Sequence, residues 1–125
     1  FENGIGASGG SAFIGAGNRN CASAGGDAVV GGGYNSTAGG YSFIIGGNGN
    51  TVATGACRSG IIGGCASTVC AAHTNSIITG TEITTVSADM LHARTLFLSA
   101  AQLPTTDPNV PGVVWRDGTD LKISV

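Results

Sequence analysis

Four cysteines and two histidines are the most reactive side chains in this sequence, and their spacing decides what chemistry they could support. Cys21, Cys57, Cys65 and Cys70 make an even count, which invites a disulfide framework. Cys65, Cys70 and His73 lie close enough to suggest zinc, yet the paired Cys-x-x-Cys spacing of a zinc site is missing and no metal is expected. Acids are equally sparse. Cleaving a polysaccharide takes two carboxylates at a set separation across a groove, and residues 1–80 supply only Glu2 and Asp27. Glu82, Asp89, Asp107, Asp117 and Asp120 fall where capping and turns explain them. No Gly-x-Ser-x-Gly elbow, phosphate loop or His-Glu-x-x-His is present. The sequence therefore predicts no enzyme and no cofactor. Asn35-Ser36-Thr37 matches a glycosylation acceptor, but such tripeptides arise by chance and carry no weight here.

The elements that would position these groups repeat. Adjacent apolar pairs recur as Phe13-Ile14, Val29-Val30, Ile44-Ile45, Ile61-Ile62 and Ile77-Ile78, at intervals of 16, 15, 17 and 16 residues. Glycine follows the first four pairs and Thr79 the fifth. So regular a period predicts a stacked solenoid, in which each unit buries its apolar side only against its neighbours. Successive side chains on a strand point to opposite faces. A doublet in every repeat thus makes two apolar columns, one lining the interior and one facing out. Five outward residues would each contribute roughly 1.5–3 kcal/mol if covered, before entropy is charged. The sequence predicts an obligate oligomer whose second column, Phe13, Val29, Ile44, Ile61 and Ile77 or its partner set, packs against other copies.

Residues 1–80 hold 21 of the 23 glycines and only four charged side chains. A flexible linker has that composition too, but a linker has no reason to keep all ten doublet positions apolar. The net charge of −2 argues against nucleic acid as a partner. No run of 18 apolar residues suggests insertion into a membrane. The chain starts at Phe1 and not at methionine, which suggests a fragment or a processed product.

A second, weaker strand signal lies about six residues beyond each doublet, at Asn20-Cys21-Ala22, Asn35-Ser36-Thr37-Ala38, Asn50-Thr51-Val52-Ala53 and Ser67-Thr68-Val69-Cys70. Asparagine tolerates left-handed backbone, so it is expected at the corner before the strand. Glycine clusters such as Gly46-Gly47 and Gly63-Gly64 are expected at the turns. Measured from the preceding doublet, the cysteines sit at offsets of 7, 12, 3 and 8, so no two share a column. At a rung spacing of about 4.8 Å only shared or adjacent columns could be bridged, and free, buried thiols acting as small apolar fillers are expected.

The rhythm of Ser42-Phe43-Ile44-Ile45-Gly46-Gly47-Asn48 and Ser59-Gly60-Ile61-Ile62-Gly63-Gly64 resembles the repeats of trimeric viral fibres, and is similar to the head repeats of trimeric autotransporter adhesins. The ending, from Leu103-Pro104-Thr105-Thr106-Asp107-Pro108 through Gly112-Val113-Val114-Trp115 to Leu121-Lys122-Ile123-Ser124-Val125, resembles the C-terminal segment of bacteriophage tail-fibre proteins. The resemblance implies an all-β homotrimer: a Gly-rich β-solenoid shaft over residues 1–80, neck strands over 81–103 and a C-terminal hairpin module over 104–125. It implies a structural and adhesive virion part that contacts a host surface glycan or protein, or else a bacterial surface adhesin. On a three-fold axis any residue becomes a ring of three, so His73 or His92 could hold a metal without a motif in one chain; an ordinary surface or interface histidine is the plainer expectation.

Residues 81–103 hold no glycine, and a strand-like alternation appears over residues 90–98. Asp117-Gly118 supplies the turn of a tight hairpin. Trp115, Arg116, Asp120 and Lys122 form the densest cluster able to grip a receptor, since recognition uses aromatic platforms and directional polar groups. The plainer expectation is that Trp115 anchors the end of the trimer. An ice-binding solenoid would need a flat Thr-x-Thr array, and only Thr79-Gly80-Thr81 has that form.

Overall fold

The protein was analysed as a computed structural model, which describes residues 2–6, 11–23, 26, 28, 29, 32–37, 39–99 and 101–125. Among these residues the chain forms only short strands. Strands β1 (Gly4–Ile5), β3 (Cys21–Ala22), β5 (Ser36–Thr37), β7 (Thr51–Val52) and β9 (Thr68–Val69) stack in that order as a first parallel sheet. Strands β2 (Phe13–Ile14), β4 (Ala28–Val29), β6 (Phe43–Ile45), β8 (Gly60–Ile62), β10 (Ile77–Thr79) and β11 (Leu91–Ala93) make the second. The chain visits the two sheets alternately, which makes a β-solenoid of about 5 turns. Parallel pairing continues past Gly80, because β11 pairs with β10. Two compact units result, Phe1–Thr95 and Leu96–Val125. In the second, β12 (Val114–Asp117) pairs antiparallel with β13 (Asp120–Ile123).

Strand register selects which residue of each doublet goes inside. Ile14 pairs with Val29, Val29 with Ile44, Ile44 with Ile61 and Ile61 with Ile78. Ile44, Ile61 and Ile78 are completely buried and meet Val52 and Val69 of the first sheet in one apolar core. The inward column therefore takes the second residue of Phe13-Ile14 and Ile77-Ile78 but the first of Ile44-Ile45 and Ile61-Ile62. This corrects the expected column of Phe13, Val29, Ile44, Ile61 and Ile77. Hydrogen-bond register follows the unequal loop lengths between rungs, not the position of the doublet in its repeat. Val30 lies outside the described residues. His92 pairs with Ile78 and so takes the inward position that ends the column, where its Nε2 lies 3.2 Å from Ser87 O.

Two polar ladders flank the aliphatic core. Asn35 N–H donates to Asn20 Oδ1 and Asn50 N–H to Asn35 Oδ1, each at 3.1 Å, and Ser67 N–H donates to Asn50 Oδ1 at 3.0 Å. The Nδ2 groups of Asn20, Asn35 and Asn50 donate to the carbonyls of Gly32, Gly47 and Gly64. On the other side, Ser59 N–H donates to Ser42 Oγ and Ser76 N–H to Ser59 Oγ. All seven side chains are buried, and the ladders satisfy backbone groups that would otherwise be orphaned. The asparagines are thus not the left-handed corners. That conformation falls one residue earlier, at Arg19 (φ 57°), Tyr34 (φ 57°) and Gly49 (φ 68°), and before the serine ladder at Tyr41 (φ 60°) and Arg58 (φ 55°).

Glycine is indispensable where rungs touch. A Cβ on Gly47 would sit 2.2 Å from Gly64 O, and one on Gly32 would sit 2.1 Å from Gly47 O. No side chain fits at that separation. At Gly60 the obstacle is different: the Phe43 ring lies across it, 2.3 Å from where a Cβ would be.

Candidate functional site

The two sheets present different outer faces. On the second sheet, register lines up Phe13, Phe43, Gly60, Ile77 and Leu91 in one outward column. Ile45, Ile62, Thr79 and Ala93 form a neighbouring one. Ile45 and Ile62 are 48% and 47% exposed, against 0% for Ile44 and Ile61. Phe13 and Leu91 are exposed too, and neither column contains a charged residue. Ile45 and Ile62, expected in a packed interior, thus lie on the surface of their own chain.

Small polar residues line the first sheet instead. Cys21, Ser36, Thr51 and Thr68 form its outward column, which Thr84 extends through a bridge to Thr68. The inward partners are Ala22, Thr37, Val52 and Val69, all buried.

Neither the thiols nor the imidazoles gather into a centre. All four cysteines are free, Cys65 exposed and the others half-buried, so none is the fully buried filler expected of it. Cys21 pairs with Ser36 and Cys65 bridges to Asn48, so neither stacks on another thiol. Thr85 Oγ1 accepts from Cys70 N–H at 2.9 Å and lies 2.7 Å from His73 Nδ1. Both histidines are therefore engaged within their own chain. Among the described residues no group of three or more His, Cys, Asp or Glu is placed to hold a metal, and no pocket is formed. Of the two solenoid acids, Glu2 is exposed and Asp27 lies outside the described residues.

The C-terminal cluster divides between the faces of its strand pair. Trp115 lies opposite Lys122 and Asp117 opposite Asp120, which places these four on one face. Lys122 Nζ sits 5.4 Å from the Trp115 ring centroid, within cation–π range, and bonds Asp117 Oδ2 at 2.6 Å. The hydrogen bond and charge of Asp117 hold the Lys122 ammonium above its usual pKa. Arg116 belongs to the other face, opposite Leu121. Beside the pair, Ser124 Oγ donates to Asp107 Oδ1 at 2.6 Å and Asn109 N–H donates to the same oxygen at 2.9 Å. Those two bonds, the serine's first, hold the Asp107 carboxyl below its ordinary value.

Sequence reasoning missed the side chains carried on the left-handed corners. Arg19 stacks on Tyr34, 5.2 Å from the ring centroid, with its guanidinium bonded to the phenol oxygen. Arg58 Nε donates to Asn75 Oδ1 and Asn75 Nδ2 to Asp89 Oδ1, so a polar chain crosses three rungs. The available signal was position: each residue directly precedes a ladder residue or its rung equivalent. No protein-family model, no curated protein and no solved structure matches the chain.

Proposed function

We propose that this chain is a segment of a homotrimeric fibre with a structural and adhesive role, in the distal part of a phage tail fibre that contacts a host surface glycan or protein. One observation carries the reading: the outer face of the second sheet is apolar and uncharged over successive rungs. Monomers rarely leave so continuous an apolar surface bare, and such patches mark association sites. A further copy is the economical cover, because every copy brings the same face and no charge is buried when the faces meet. The rung rhythm and the C-terminal segment resemble those of viral fibres, which supports three copies and the virion setting. Nucleic acid, membrane insertion and catalysis have no part in this reading.

The rung rhythm suits a bacterial surface adhesin as a second reading, and its similarity to autotransporter heads favours it. The two share one oligomer test and separate at the gene, where virion assembly neighbours or a membrane anchor decide. Sedimentation of the intact chain, with binding of the labelled protein to bacterial cells, tests the proposal. Assembled particles that bind cells are expected. A folded monomer refutes assembly, and intact trimers that bind no cell refute adhesion.

A further inference from the structure

In the second compact unit the strand pair has one face of polar groups around Trp115 and one bare, largely apolar face. Lys122 and Ser124 turn to the polar side, Lys122 over Trp115 and Ser124 onto Asp107. Leu121, Ile123 and Val125 alternate to the bare side, where they are 61%, 64% and 103% exposed. Lys122 and Ser124 thus find partners, the Trp115 indole N–H is buried without one, and the apolar residues of β13 are left outside. Two strands of four residues are marginal by themselves, and need a third layer to be stable.

The charges on this unit are also incomplete. Arg116 shares the bare face, its Nε buried without a partner, and its only side-chain bond runs to Gly118 O at 3.4 Å. The Asp120 carboxylate makes no hydrogen bond or ion pair among the described residues; it adds only a through-space attraction to Lys122, whose close partner is Asp117. One unpaired cation and one unpaired anion therefore sit on opposite faces of the same pair, where they cannot meet within one chain.

We infer that the bare face of residues 114–125 is a second interface between copies of this chain, in which Leu121 and Ile123 pack on a neighbour and Arg116 pairs with Asp120 of the neighbouring copy. The inference rests on the oligomer reading above and gives it a second contact. A cyclic arrangement presents each copy's Arg116 face to the next copy's Asp120 face, which brings together charges that one chain keeps apart. A standard interface takes ~800 Å² from each partner, and the strand-pair face adds its own area to that of the second sheet.

The test uses sedimentation velocity on the full chain and four variants: Leu121→Glu/Ile123→Glu, Arg116→Asp, Asp120→Arg and the double exchange Arg116→Asp/Asp120→Arg. Far-ultraviolet circular dichroism checks each fold. The apolar double variant should raise the concentration for half-assembly at least tenfold. Each single charge reversal should weaken assembly roughly fivefold to tenfold, and the double exchange should restore it. Wild-type assembly with every variant unchanged overturns the inference while sparing the fibre reading, and leaves the face to a foreign partner. Single reversals that weaken assembly without rescue by the exchange overturn the Arg116–Asp120 pair. A wild-type chain that stays monomeric overturns both readings.

Discussion

Asn35 accepts Asn50 N–H and Asn50 Nδ2 at one carbonyl oxygen while its own N–H donates to Asn20. Asn35→Ala orphans the buried Asn50 N–H on the next rung, at about 1–3 kcal/mol. Thermal unfolding should fall by roughly 5–10 °C; an unchanged midpoint would show that the ladder is not needed for stability. Asp107 gives a pH signature. Its carboxyl is depressed below 3.8 by Ser124 and Asn109, so its stabilising effect is complete above that value and fades as pH falls through the lower folded value. Trp115 fluorescence should report loosening of residues 96–125 in that acid range, and Asp107→Asn should flatten the response. Alkylation of the denatured protein without reductant should add four labels, one per free thiol. At this scale the sequence was least legible. Left-handed backbone falls on Arg19, Tyr34, Tyr41 and Arg58, residue types with no preference for it; at Tyr34 and Arg58 the backbone N–H bonds a carbonyl of the preceding rung, Asn18 O and Gly40 O.

At the scale of elements, strands were readable and register was not. Among the described residues the doublets and the Asn or Ser signals overlap strands of the two sheets, since apolar recurrence reports burial directly. Which member of a doublet turns inward cannot be read from two equal isoleucines; loop length settles it. The distinction has measurable consequences. Ile61→Ala leaves a cavity and should cost about 2–5 kcal/mol in thermal or denaturant unfolding. Ile62→Asp should keep the chain folded by circular dichroism, because the residue is half exposed, yet abolish assembly by placing an unpaired charge in the covered face. Loss of folding with Ile62→Asp would return that residue to the interior. In the C-terminal unit, composition pointed to Trp115, Arg116, Asp120 and Lys122 as one cluster, but strand alternation separates Arg116 from the other three.

At the scale of the whole molecule, the first compact unit is a stack whose core is a column of isoleucines meeting Val52 and Val69 between two polar ladders. So thin a core is a reason to expect company. Large apolar residues that could have thickened it, Phe13, Ile45, Ile62 and Leu91, lie outside, on one sheet face. Assembly through that face is the central claim, and sedimentation equilibrium at low micromolar concentration tests it most directly. The expected particle has about three times the 12.2 kDa mass of one chain. A stable, folded particle of 12.2 kDa at that concentration would contradict it.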